Sequence, residues 1–406
     1  MNTATAAPQG LRHRETDAVV RIVDAQGAPL ADADVEVVQL RHAFAFGCTA
    51  PGSGGDAMLA RWLDLFDTAT LTVYWGRYEP ERGRTGEAEL RRRARDLADR
   101  GVRLKGHPLV WHTVKAPWVD RLPLDEAEAA LRGRIRREVG GFAGLIDAWD
   151  VVNEAVIMPR FENEPDGIRN AVSRLCEKHG RVELIRLAVD EARAANPRAQ
   201  LVLNDFDLGP DYERLIEEVL DAGVHIDAIG LQSHMHQGYR GEERAAEVSE
   251  RFARFGLPLH WTETSLVSGA LMPAEIEDLN DHVVDDWPST PDGEERQAEE
   301  IVRHYRSLVA HPSVEAVTYW GFDDETAWLG APSGLIRRDG MPKPAYDALR
   351  SLIRGEWWLA PARLRTDADG RIALRAFAGA FEVRAGGRSA RFEAQAGPAE
   401  LRVELP

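Results

Sequence analysis

The chain is poor in cysteine and has no long apolar run. Its 406 residues include two cysteines, Cys48 and Cys176, which excludes a disulfide framework and predicts two small buried thiols. No apolar stretch reaches the roughly 18 residues of a membrane-spanning helix. The first twenty residues also lack the apolar core of a signal peptide. The sequence as written therefore predicts a cytoplasmic protein, and removal of a leader would make it a secreted one.

The chain also lacks an excess of basic residues. It has 50 Lys and Arg against 67 Asp and Glu, a formal net charge of -17, which argues against nucleic acid and against anionic membrane surfaces as partners. What it does have is tryptophan, with 11 residues. An indole offers a flat apolar face on which a ligand can stack. The sequence defines no oligomeric state.

The pattern of residues divides the chain into four segments. Residues 1–16 are small and polar, and we expect them to be disordered. Residues 17–43 hold two alternating runs around a Gly/Pro/Asp-bearing turn, which predict a β-hairpin or two strands of a small sheet. Residues 354–406 hold several short alternating runs between glycine turns. Because chain termini often lie close together, we expect one sandwich-like accessory domain built from both ends; a separate C-terminal module is the alternative.

Residues 44–353 alternate apolar runs with helical stretches rich in Arg, Glu and Ala. This rhythm predicts an α/β fold, a (β/α)8 TIM barrel. An open doubly wound sheet is the rival, but the Gly-rich segment GCTAPGSGG lacks the G-x-G-x-x-G spacing of a phosphate loop. The eight candidate strands begin near Phe44, Ala69, Arg103, Ile146, Gln200, Ile226, Leu259 and Glu315.

Two carboxylates interrupt apolar strands at their ends. Glu154 follows the fourth strand and Glu263 the seventh, and a carboxylate there is costly unless it is used or paired. For either alone, a glutamate stabilised by a helix dipole is the alternative. Catalytic groups of a barrel lie at the C-terminal ends of its strands, so the two can converge across the mouth. Glycosidic cleavage needs such a pair, one to donate a proton and one to attack the sugar or activate water.

The other strand ends turn polar or aromatic together, as a sugar site requires. Within this set, His234 and His236 have the H-x-H form of metal ligands, so a metal-dependent barrel hydrolase is a second hypothesis, although no further residues complete a ligand set. A non-catalytic sugar-binding barrel is a third. The residues at these strand ends are His107, Trp111, His112, Asn204, Asp205, Gln232, His234, His236, Trp320 and Trp328.

Six motifs carry a family resemblance. GHPLVWH, WDVVNEA, LNDFD, GLQSHMH, HWTET and YWGFDDETAW occur in this order between about Phe44 and Ile353. In motif and spacing the chain resembles glycoside hydrolase family ten, the retaining (β/α)8 endo-β-1,4-xylanases. The resemblance implies a β-linked oligo- or polysaccharide substrate, cleavage by double displacement, and no cofactor or metal.

The resemblance also implies roles for individual residues. Glu154 matches the general acid/base and Glu263 the nucleophile. Asn153 matches the asparagine that contacts the sugar 2-hydroxyl, and His234 the histidine that orients the nucleophile. The remaining residues expected to bind substrate are His107, Trp111, Asn204, Gln232, Trp320 and Trp328.

The chain departs from the family pattern at three places. The Glu-Asn-…-Lys-Trp pattern that grips the second sugar is missing after the second strand, where Thr72, Tyr74 and Arg77 stand instead. The nucleophile motif reads TETS rather than TELD, and an insertion spans 158–170. We expect an endo-β-1,4-xylanase or xylo-oligosaccharide hydrolase, with another glycan or a small β-glycoside as the alternative substrate.

The accessory domain is expected to be a brace rather than a carbohydrate-binding module. Trp357 and Trp358 are the few aromatic residues there that could stack on a sugar.

Overall fold

A computed structural model describes residues 3–6, 11–52, 55–162 and 167–406. Three strands precede the barrel: β1 (Thr3–Ala6), β2 (Glu15–Val23) and β3 (Asp34–His42).

Eight parallel strands then close into a barrel in which the first strand pairs with the last. Each begins within two residues of its predicted start, which confirms the TIM barrel. The strands are β4 (Ala45–Thr49), β5 (Thr68–Thr72), β6 (Arg103–His107), β7 (Ala148–Asn153), β8 (Gln200–Asp205), β9 (Ala228–Met235), β10 (Leu259–Leu266) and β11 (Val314–Tyr319).

The helices surround the barrel and bury their apolar sides against it. None of those in the described ranges is long and apolar enough to span a membrane. They are α1 (Gly55–Leu65), α2 (Trp75–Tyr78), α3 (Glu87–Asp99), α4 (Pro117–Asp120), α5 (Leu124–Gly141), α6 (Ala171–His179), α7 (Arg181–Ala195), α8 (Pro210–Asp221), α9 (Glu242–Ala253), α10 (Pro291–Ala310) and α11 (Pro344–Ser351), with 3-10 turns at Arg12–Arg14, Met158–Arg160, Leu279–Asp281 and Trp328–Gly330 and a π-turn at Leu352–Glu356.

Five strands follow the barrel: β12 (Ala362–Arg365), β13 (Arg371–Phe377), β14 (Gly379–Ala385), β15 (Arg388–Ala394) and β16 (Gly397–Glu404). They combine with the N-terminal strands into two four-stranded sheets, β1-β13-β2-β16 and β12-β3-β14-β15. Alternate residues of both sheets, such as Val20, Val37 and Phe381, are fully buried in one apolar core. The accessory sandwich is therefore built from both ends of the chain, as expected.

The hairpin that the sequence allowed for residues 17–43 is wrong. β2 and β3 lie in different sheets, and β2 pairs with β13 and β16 instead of β3. The ten residues between the strands are long enough to cross from one sheet to the other. Turn residues between two alternating runs predict a reversal of the chain, but they do not determine whether the returning strand pairs with the first strand or crosses to the other sheet.

The prediction of disorder for residues 1–16 differs from the structure at residues 3–6 and 11–16, while residues 1–2 and 7–10 lie outside the described residues. β1 pairs in parallel with β13, and a 3-10 turn follows at Arg12–Arg14. The Arg14 guanidinium donates hydrogen bonds to the carbonyls of Val309, His311 and Val314 at 3.0, 2.5 and 2.5 Å. Edge pairing uses backbone groups, so the small polar side chains of this segment gave no signal of it.

Trp357 joins the sandwich to the barrel. Its indole is fully buried and stacks on Phe46 of β4 and on Phe377 of β13, with ring centroids 5.7 and 6.0 Å apart. The carbonyl of Trp357 lies 2.8 Å from Nε2 of the buried His42. This tryptophan is packed in the barrel core, between β4 of the barrel and β13 of the sandwich, rather than presented to a ligand.

We predict that Trp357→Ala lowers the free energy of unfolding by about 3–5 kcal/mol, because it leaves a large cavity where β13 of the sandwich packs against the barrel. The measurement is urea denaturation followed by circular dichroism. Trp358→Ala is the matched control, since Trp358 is half-buried and its ring contacts Arg354 and His42. Equal losses in the two variants would contradict the role given to Trp357.

Candidate active site

The two predicted carboxylates lie at the mouth of the barrel, and both are withdrawn from water. The side chains of Glu154 and Glu263 are 13% and 6% exposed. In each case the pairing with a neighbouring strand shifts register just before the glutamate, between Asp150 and Val152 on β7 and between Trp261 and Glu263 on β10. Such bulges re-aim side chains next to active sites.

Glu154 has an uncommon backbone conformation. Its φ is +58°, in the left-handed region that costs a residue with a Cβ of order 1 kcal/mol or more. Its N–H donates to the Asn204 carbonyl at 2.8 Å. Two residues on, the Val156 N–H donates to the buried Asp205 carboxyl at 3.0 Å. These bonds to the end of β8 hold the strained turn in place.

The side chain of Glu154 accepts from three donors. Trp111 Nε1 donates to Oε2 at 2.7 Å; Asn153 Nδ2 and Gln232 Nε2 donate to Oε1 at 3.0 and 3.2 Å. Burial nevertheless raises the pKa of Glu154 to about 7, and the Glu263 charge adds to that effect against the hydrogen bond from Trp111. A carboxyl with such a pKa can donate a proton near neutral pH.

The environment of Glu263 lowers the pKa of its carboxyl group, whereas that of Glu154 raises it. Its Oε1 accepts from Asn204 Nδ2 at 2.8 Å, and its Oε2 lies 3.2 Å from His234 Nε2. His107 Nε2 is 4.0 Å from Oε1. Burial disfavours the charge, but His107 and His234 outweigh it and leave the pKa of Glu263 below its ordinary value. This carboxyl stays ionised where Glu154 is protonated.

An amide bridge connects the two carboxyl groups. Asn204 Nδ2 donates both to Asn153 Oδ1, at 2.6 Å, and to Glu263 Oε1. Thr262 Oγ1 donates to Asn204 Oδ1 at 2.5 Å, which fixes the amide with its nitrogen toward the carboxylate. A Cβ at Gly230 would stand 2.4 Å from that Oδ1, so only glycine leaves room for Asn204 here.

A buried hydrogen-bond network of Asp150 and Lys105 supports His107. His107 Nδ1 is 2.7 Å from Asp150 Oδ2, and Lys105 Nζ is 2.8 Å from the same oxygen. Burial alone would raise the pKa of Asp150, but Lys105 and His107 lower it. Sequence reasoning did not include Asp150 or Lys105. The signal for Asp150 was a charged residue inside the apolar run of β7; β6 has Arg103 and His107 beside Lys105 and so gave no such signal.

Aromatic rings line the site on several sides. Trp320 lies over His107, with centroids 5.0 Å apart, and Trp328 lies 4.8 Å from His234. Trp111 packs against Tyr74 at 5.3 Å. All ten predicted site residues therefore come together at the barrel mouth, and Tyr74 belongs to the same aromatic wall.

His112 and His236 are buried without a hydrogen-bond partner for either ring nitrogen in the described part of the chain. Burial lowers the pKa of each to about 3. His236 contacts Trp287 and Trp328, while His112 Nε2 lies 3.9 Å from Glu154 Oε2. Among the described residues, no group of three His, Cys, Asp or Glu side chains could hold a metal ion. Both cysteines are buried and free.

A family model described as Glycosyl hydrolase family 10 matches residues 68–352. The chain belongs to this family. Family 10 structures also resemble it in three dimensions: xylanase 10B from Thermotoga petrophila in complex with xylobiose superposes with a TM-score of 0.62 at 24% identity, covering 77% of this chain and 94% of that one.

Curated relatives are similar over different lengths. A "Beta-1,4-xylanase" of Dictyoglomus thermophilum is 31% identical over 242 residues, 56% of this chain and 62% of that protein. "Anti-sigma-I factor RsgI6" of Acetivibrio thermocellus is 24% identical over 380 residues, 91% of this chain and 45% of that protein, so the similarity to this relative extends beyond the residues that the family model matches. The chain thus spans less than two thirds of either relative.

We predict that one glutamate titrates at about pH 7, because burial and the Glu263 charge disfavour ionisation of Glu154. Carbon-13 NMR of the glutamate carboxyl groups measures it. Glu154→Gln removes that signal, and Glu263→Gln moves it to lower pH by removing the neighbouring charge. A Glu154 pKa in the ordinary range of about 4–5 would contradict the prediction.

Proposed function

We propose that this protein is a retaining glycoside hydrolase that cleaves β-1,4-linked xylo-oligosaccharides or xylan. The observation that carries the proposal is the opposite shift of two bridged carboxyl groups: the pKa of Glu154 is raised and that of Glu263 is lowered. Family membership and the names of the similar proteins, which are xylanases in several cases, support the substrate.

In the proposed reaction, the two carboxyl groups act in sequence. Protonated Glu154 gives its proton to the glycosidic oxygen as the bond to the anomeric carbon breaks, while Glu263 attacks that carbon and forms a glycosyl ester. Glu154, now ionised, then takes a proton from water, which attacks the ester and releases the sugar. Two inversions leave the configuration retained, and the proton and the carboxylate are both restored.

The other site residues have supporting roles in this proposal. Asn153 presents an amide beside Glu154, where it can contact a hydroxyl of the sugar. Trp320 and Trp328 offer faces on which a pyranose can stack. Asn204, Gln232 and the two histidines, His107 and His234, keep the carboxyl groups oriented. No metal or cofactor takes part in any of these steps.

A covalent label tests the assignment of the nucleophile. A 2-fluoro β-xylobioside traps the ester, and peptide mapping should find the label on Glu263. Glu154→Ala should lower kcat on substrates with poor leaving groups by about 10²–10⁴-fold, since it removes the general acid, and should spare glycosylation by activated aryl glycosides. A label on another residue, or no turnover on any β-glycoside, would contradict the proposal.

The substrate itself is tested with a panel of xylo-oligosaccharides, gluco-oligosaccharides and aryl β-glycosides. A small β-glycoside or another glycan is the second candidate, because the polar clamp of the family pattern is missing from the segment that contains Tyr74. The Tyr74 ring lies among His107, Trp111 and Arg77, and the described residues provide no hydrogen-bond partner for its hydroxyl. It is free to contact a sugar at the place where the family pattern has a polar clamp that this chain lacks.

We predict that Tyr74→Ala raises KM for an aryl β-xylobioside by about tenfold through the loss of a stacking surface, and leaves KM for an aryl β-xyloside nearly unchanged. Tyr74→Phe keeps the ring and serves as the control for the hydroxyl. Equal changes for the two substrates would mean that Tyr74 does not contact the second sugar.

A further inference from the structure

His234 lies between the nucleophile and a serine. Its Nε2 is 3.2 Å from Glu263 Oε2 and its Nδ1 is 2.9 Å from Ser265 Oγ. Glu263 and Ser265 are two residues apart on β10 and therefore point to the same side of the strand. His234 on β9 is directly paired with Ser265 in the sheet register. The serine is 1% exposed, so water does not replace His234 as its partner.

The hydrogen-bonding capacity of these groups limits where the protons can lie. An ionised carboxylate only accepts, so the hydrogen in the bond to Glu263 belongs to His234 Nε2. The Ser265 hydroxyl has one proton, and Nδ1 is its one hydrogen-bond partner in the part of the chain that the structure describes. When Oγ–H donates to Nδ1, all three groups are satisfied by a neutral imidazole.

Within the described ranges, the groups around His234 include a single acid. Glu263 is the one carboxylate within 4 Å of it among the described residues. His236 lies on the same strand with ring centroids 5.9 Å apart, and His107 approaches Glu263 from β6. The other rings packed on His234 are those of Trp320 and Trp328, which carry no charge. Glu263 is therefore the one acid that faces the ring among the described residues, and Nε2–H already donates a hydrogen bond to it.

We propose that Ser265 is a positioning residue that holds His234 as the neutral Nε2–H tautomer, so that the nucleophile is oriented by a dipole rather than by a cation. This inference rests on the proposed function. The carboxylate of Glu263 loses its charge when it forms the glycosyl ester. A cationic histidine would stabilise the free carboxylate more than the ester and would slow the attack. A neutral N–H donor orients the carboxylate oxygen and loses less interaction energy than a cation would when the carboxylate becomes an ester.

The tautomer is measured by NMR of protein whose histidine side chains are labelled with nitrogen-15, and the His234→Gln variant assigns the His234 signals. At pH 7 the wild type and Ser265→Thr should show a protonated Nε2 and an unprotonated Nδ1. Ser265→Asp should convert His234 to the imidazolium, because a carboxylate beside Nδ1 can only accept a hydrogen bond and so favours a proton on Nδ1. An imidazolium or an Nδ1–H tautomer in the wild type at pH 7 would overturn the proposal.

Kinetics provide the second readout. Ser265→Ala should lower kcat by about tenfold, because one hydrogen bond at the site is lost. It should also move the acidic limb of the pH profile of kcat/KM to higher pH. Ser265→Thr should restore both kcat and the position of that limb. Ser265→Asp should move that limb to lower pH while kcat falls. A Ser265→Ala enzyme with the wild-type acidic limb would overturn the proposal even if its kcat were reduced.

Ser233→Ala is the matched control. Ser233 is also a buried serine at the same pair of strands, but its Oγ bonds Thr264 Oγ1 at 2.8 Å, and it neighbours His234 along β9 and so points to the other side of the sheet. The variant should keep the wild-type tautomer and acidic limb. The NMR measurement needs no turnover, so a protein that hydrolyses no β-glycoside yet shows the neutral tautomer would refute the proposed function and leave the histidine assignment intact.

Discussion

A single carboxamide, that of Asn204, sets the geometry on which the rest of the site depends. It donates to the Asn153 side chain, which in turn donates to Glu154, and it donates directly to Glu263. Rotated by half a turn, the same amide would present its carbonyl oxygen to a carboxylate and repel it. The Thr262 hydroxyl prevents that rotation by occupying the carbonyl oxygen. The positions of two acids on distant strands are thereby linked through one planar group.

The two acids differ in charge because their partners differ, although both are buried. Glu154 is surrounded by neutral N–H donors, and these do not offset the cost of removing a charge from water. Glu263 lies near His107, which the Asp150–Lys105 pair backs, and it accepts a hydrogen bond from His234. The backbone contributes as well, through a bulge before each glutamate and the positive φ of Glu154. Strain of this kind is retained where the surrounding bonds over-determine it.

Sequence alone predicted the barrel, the two-ended sandwich and the residues at the strand ends, because periodicity and polar interruptions of apolar strands are local signals. It did not predict which groups touch. The bulges on β7 and β10, the need for Gly230 and the part played by Thr262 depend on the register between strands far apart in the chain. The same limit explains the error at β2 and β3, since a turn of ordinary composition does not reveal the sheet to which the next strand belongs.

The pairing of the first strands with the last also has a consequence for biosynthesis. β2 is hydrogen-bonded on both edges to β13 and β16, more than 340 residues further along the chain. While the ribosome is still making the barrel, the apolar side of β2 has no sheet to cover it, and its backbone edges are open to other chains. The sandwich closes last, so a chain interrupted within its final strands would leave the beginning of the protein exposed to aggregation and to chaperones.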